Sequence, residues 1–128
     1  MTKAVVGVFR QREDIERAIS VLASEGYTPK EFTVFLKNPL EALWVIVNTG
    51  ASVKVGSIPE ELASYESRIN KGAMVLVVPT RENQLELVRM VFDDSDASDS
   101  KHISYKTDAP RPFPAEVSNQ NYTTTNVF

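Results

Sequence analysis

The sequence predicts an α/β domain of the α+β kind: a ferredoxin-like four-stranded sheet built from two β-α-β halves, with a helical insertion between them and an extended C-terminal tail. Three observations predict it. Two apolar, β-branched runs, residues 4–9 and 73–78, have the length and composition of buried strands. Each is followed by a stretch with apolar residues at helical spacing, and each of these by a short alternating segment. Laid over one another, the halves agree in pattern, with Arg12-Glu13 on Arg81-Glu82 and Ala18-Ile19 on Leu87-Val88. Joined by right-handed crossovers, two such units put both helices on one face, and the first and third strands at the centre.

In the first half, Ile15, Ala18, Ile19 and Leu22 form one stripe of a helix over 12–25, which Gly26 ends because glycine adopts positive φ without a Cβ clash. Tyr27-Thr28-Pro29 makes the connection. Over 31–36, Phe32, Val34 and Leu36 alternate with Thr33 and Phe35, a strand with two unequal faces. In the second half, 73–78 is the most apolar strand and belongs at the centre of the sheet. Thr80 is placed to cap a helix over 81–92, whose buried side carries Leu85, Val88 and Phe92, with Met90 and Val91 nearby. An acidic, serine-rich turn (93–100) leads to a short alternating strand over 102–106, suited to a sheet edge.

The insertion covers residues 38–72 of a domain spanning 1–107. Its later part reads as a helix: Ser57 and Glu60 form a capping box, Pro59 sits in the first turn, and Ile58, Leu62, Tyr65 and Ile69 make a stripe that runs to Gly72. Residues 40–47 fit a helix or a strand. Asn38-Pro39 before them, and the shared helical face of Leu40, Leu43 and Val47, favour a short helix. From 108 to 128 the composition shifts to a flexible tail, stiffened by Pro110, Pro112 and Pro114 and then polar.

Composition narrows the function classes. With 128 residues, 42% hydrophobic and 24% charged, the chain has the make-up of one globular domain. The absence of cysteine excludes disulfides, thiolate catalysis and cysteine zinc sites. A net charge of −3 gives no overall attraction to nucleic acid or to anionic lipid. The longest apolar run outside the two strands, 42–47, is far short of a membrane span, and the N-terminal run is too short for a signal sequence, so a cytoplasmic, non-membrane protein is expected. Asn121-Tyr122-Thr123 is then a chance glycosylation sequon.

Single residues point to no catalytic set, metal or cofactor. His102 is the only histidine, so a histidine metal cluster is excluded. Asp93, Asp94, Asp96 and Asp99 lack the glycine and closing glutamate of a calcium loop and read as a solvated acidic turn. No serine sits in a Gly-x-Ser-x-Gly elbow, and Glu60 and Glu61 suit a helix start better than catalysis. Thr49-Gly50-Ala51-Ser52 reads as a turn sooner than an anion cradle. The central strands offer Phe9 but no basic-aromatic pattern for RNA. Trp44 has two readings, core packing or an interface. The face of the sheet away from the helices must be covered, by the insertion or by a second subunit. In the tail, Phe113, Tyr122 and Phe128 are spaced like the anchors of a docking peptide, though a disordered end with incidental aromatics is slightly favoured.

Val6-Gly7-Val8-Phe9, the run from Arg12 to Ile19, and Gly26-Tyr27 resemble the opening of the YflT-like general stress proteins of bacteria. Ile58-Pro59-Glu60-Glu61, Tyr65-Glu66 and Lys71-Gly72-Ala73-Met74-Val75-Leu76-Val77 are similar to that family's second block. The resemblance covers most of 4–92 and leaves the tail unmatched. Many relatives carry a long glycine- and alanine-rich hydrophobic segment between the blocks. Here that space has only Gly50 and Gly56, so membrane association does not transfer. The resemblance implies a non-enzymatic, stress-associated protein that acts through protein contacts or self-association, and it brings no catalytic residues. The alternatives are a small-ligand regulatory module with paired sheets, or a subunit docked into a larger assembly by its tail.

Overall fold

β1 (Thr2–Phe9) and β4 (Met74–Pro79) pair antiparallel, with Val6 opposite Val77 and Val8 opposite Val75. This computed structural model describes residues 2–105. β2 (Thr33–Leu36) lies on the other side of β4, and β5 (Asp99–Tyr105) runs antiparallel along β1. The first and third predicted strands are thus interior and the last is an edge, as expected. The sheet, however, has five strands rather than four, in the order β3-β2-β4-β1-β5. The added strand, β3 (Ser52–Val55), comes from the insertion and pairs parallel with β2. Its four residues are largely exposed, so it carries little of the apolar patterning by which a strand is read from sequence.

Both faces of the sheet are buried. Val5, Phe9, Val34, Leu36, Met74, Leu76 and Val78 face a layer made by α1 (Arg12–Ser24), α2 (Pro39–Thr49) and α4 (Leu85–Asp94). Ala4, Val6, Val8, Phe35, Val75 and Val77 face the other way. There Leu62, Tyr65 and Ile69 cover them, from a 3₁₀ stretch (Glu60–Tyr65) and the short α3 (Glu66–Asn70). The insertion therefore supplies the cover that the sequence required. Burial on two sides is why β1 and β4 are continuously apolar.

Several local expectations change. The later insertion keeps its buried stripe but is not one α-helix: the 3₁₀ stretch kinks at Leu62 (φ −111°, ψ 15°) before α3 begins. No Ser57–Glu60 capping box forms. Ser57 is exposed in the loop, and Pro59, in the cap position, has no side-chain acceptor to offer. Thr80 does not cap a helix either. Its amide donates to the Lys3 carbonyl (2.9 Å) and its hydroxyl to that of Val78 (2.7 Å), which holds it against the sheet. The chain then makes a 3₁₀ turn (Glu82–Gln84) before α4 begins. β5 starts three residues before the predicted 102, because the amide and hydroxyl of Ser98 both donate to Val8 O and dock the chain on β1 early.

Residues 40–47 are helical, within α2. Asn38 caps it, its side-chain oxygen accepting from the amides of Leu40 (2.8 Å) and Glu41 (3.4 Å), with Pro39 in the first turn. Asn38→Ala is expected to cost about 1 kcal/mol, and Asn38→Asp much less. Urea denaturation checks this, since equal losses would mean that the cap is not what holds the helix start. Gly50, at φ 79°, ends α2 in the left-handed region and turns the chain into β3.

Candidate functional site

Most of the polar residues that the sequence singles out serve the fold. Asp99 pairs with Arg68 (3.1 Å), Asp96 with Arg17 (3.7 Å), and Asp93 accepts from the Ser100 hydroxyl (2.8 Å), so three of the four acidic-turn carboxylates pin neighbouring elements. His102 is exposed on β5, opposite Val5. In the Thr49-Gly50-Ala51-Ser52 segment, Thr49 Oγ1 donates to Val45 O and accepts from the Ala51 amide, while the Ser52 amide donates to Phe32 O. Those amides are committed, and the segment is a turn. Phe9 is fully buried against Phe92, edge to face at 5.6 Å, and offers no stacking surface.

Trp44 has something of both readings. It is half-buried against the helix-side core, and the Arg12 guanidinium lies over its ring at 5.0 Å. The other candidate interface residues, Phe113, Tyr122 and Phe128, lie outside the described residues.

α2 brings together a surface that the sequence reading half found. It buries Ala42 and Val45. Leu40, Leu43 and Val47, which share a face with Trp44, are 77%, 59% and 72% exposed, and Ile46 beside them is 48% exposed. Leu40, Leu43 and Val47 do share one face of the helix, and it is the outer one. The spacing i, i+3, i+4, i+7 that normally marks a core-facing stripe here points to solvent. Only one ionisable side chain, Glu41, lies within α2.

A second feature leaves no local trace in the sequence. At the end of the sheet where β1 and β2 finish and β4 begins, two depressions meet at Lys71 and Gly72. One, of about 320 Å³, is lined by Arg10, Arg68, Lys71 and Ser98. The other, of about 540 Å³, is lined by Lys37, Asn38, Glu41 and Asn70, again with Lys71. The basic residues come from three separate stretches, Arg10 after β1, Lys37 after β2, and Arg68 with Lys71 at the end of α3, so no single run of sequence announces them. Arg68 is held in place by Asp99 and by the Tyr65 ring, whose centre is 5.3 Å from its guanidinium; the Lys101 ammonium is 5.4 Å from the same ring. Burial, with Asp99 acting in the same direction and Arg68 against it, raises the Tyr65 phenol above its ordinary pKa. The buried Tyr65 hydroxyl has no hydrogen-bond partner among the described residues.

Among the described residues, no helix is long and apolar enough to cross a membrane. Comparison of the chain with protein-family models, curated proteins and solved structures finds no match.

Proposed function

We propose that this chain is a non-enzymatic binding module that pairs with a second copy of itself through the outer face of α2. The observation that carries the reading is the apolar stripe Leu40, Leu43 and Val47, exposed on a helix whose opposite side is already buried. A helix apolar on both sides belongs between two packed layers. The core supplies one layer, and a second copy supplies the other. Charge favours a second copy as the occupant. The chain carries −3, yet α2 holds only Glu41, on its flank, so a two-fold contact between identical faces brings little like charge together. Lys54 is exposed on the open edge strand β3, where a lysine discourages strand addition and leaves the contact to the helix.

The order β2-β4-β1-β5, with α1 and α4 on one face, supports reading these elements as a ferredoxin-like core to which α2 and β3 are added. The YflT-like residues described above support a stress-associated setting in the cytoplasm.

Sedimentation equilibrium of the full chain tests the pairing. The wild type is expected to be dimeric at micromolar concentration, and Leu43→Lys or Val47→Lys to weaken the dimer by about 2 kcal/mol or more while keeping the protomer's circular dichroism. These positions separate contact from core better than Trp44, which serves both. A wild type that stays monomeric at high micromolar concentration would sink the proposal.

A further inference from the structure

We infer that the basic end of the sheet is a binding site for a small, multiply charged phosphate compound. This inference goes beyond pairing through α2 and does not depend on it. Arg10, Lys37, Arg68 and Lys71 converge there from the ends of β1 and β2, from α3, and from the turn before β4. They do so on a chain whose overall charge is negative. Two carboxylates share the region: Asp99, engaged with Arg68, and Glu41, in the wall of the larger depression. Arg10, Lys37 and Lys71 make no ion pair among the described residues. Unpaired cations this close repel one another, and a shared anion removes that cost.

Geometry and chemistry narrow the ligand. Two depressions of about 320 and 540 Å³ that meet at Lys71 fall within the size range of small-molecule sites. Arg68, oriented by Asp99 and the Tyr65 ring, presents a planar donor fork suited to phosphate, and the lysines act as adjustable point charges. Among the described residues no aromatic side chain lines either depression, so this wall gives a nucleobase nothing to stack on. The recognised part is therefore the phosphate moiety, and charge spread over both depressions favours a diphosphate over a single phosphate.

Pyrophosphate is the probe. Titration calorimetry of the full chain at fixed ionic strength is expected to show saturable binding that is tighter for pyrophosphate than for phosphate or sulfate. Arg10→Gln with Lys71→Gln should weaken it by about tenfold or more, through loss of charge-assisted contacts. Both side chains are exposed, so the fold should survive, as circular dichroism will verify. Lys30→Gln with Arg81→Gln removes the same charge from the opposite end of the sheet and should change affinity by no more than about twofold, the scale of a screened distant charge. Three results would overturn the inference. One is no binding at millimolar pyrophosphate. Another is an equal loss in both double variants, which would mean diffuse attraction only. The third is single-stranded RNA or anionic vesicles binding more tightly than pyrophosphate through Arg10 and Lys71, which would make the site one for a macromolecular polyanion.

Discussion

Leu76→Ala is expected to cost about 2–5 kcal/mol, a large share of the roughly 5–15 kcal/mol by which a domain is stable. Leu76 is wholly buried in β4, the middle strand, with Gly7 of β1 on one side and Val34 of β2 on the other. Its side chain belongs to the core beneath the helix layer. Truncation would leave a cavity walled by paired backbone on both flanks, and a paired backbone collapses poorly. Urea or guanidinium denaturation with an unchanged m-value reads the loss directly. A loss near zero would mean that the site can collapse, which is inconsistent with β4 as the centre of the sheet.

Gly7→Val is expected to be at least as damaging, and Gly7→Ala to cost about 1–3 kcal/mol through overpacking. A Cβ at Gly7 would stand 2.3 Å from Cδ2 and 2.7 Å from Cε2 of Phe92, and 3.1 Å from Cε2 of Phe9. Both rings are fully buried and meet edge to face, so neither can swing away into solvent. The sign is informative, because alanine in a strand is ordinarily better than glycine. A destabilised Gly7→Ala therefore reports the ring. Pairing it with Phe92→Leu should recover part of the loss, giving a favourable coupling on the order of 1 kcal/mol in a double-mutant cycle. Additive losses would show that Phe92 does not fill the space over Gly7.

Where a local pattern had one tertiary solution, it could be read in advance. The runs 4–9 and 73–78 are continuously apolar, and only an interior strand covered on both faces accommodates that. The stripe of α1 was legible because its four apolar residues meet one surface. Asn38-Pro39 announced the start of α2 because a cap is a contact between near neighbours. Where one pattern had two solutions, the pattern alone could not choose between them. Leu62, Tyr65 and Ile69 are spaced for an α-helix, yet they cover the sheet from a kinked 3₁₀ stretch and a short α3, since close packing on a twisted surface outweighs a single cap. Ser52–Val55 becomes a strand only because β2 offers it an edge.

Function divides along the same line. A cysteine-free α+β domain with an apolar stripe at Leu40, Leu43 and Val47 follows from the amino-acid order alone, because composition and spacing are properties of the chain. Packing in three dimensions turned this stripe outward, since a helix with two apolar sides can bury either, and the sheet took Ala42 and Val45. It alone also brought Arg10, Lys37, Arg68 and Lys71 to one end of the sheet. Residues up to 61 positions apart become neighbours only when strand order sets which loops share an edge, and strand order is a long-range result of packing.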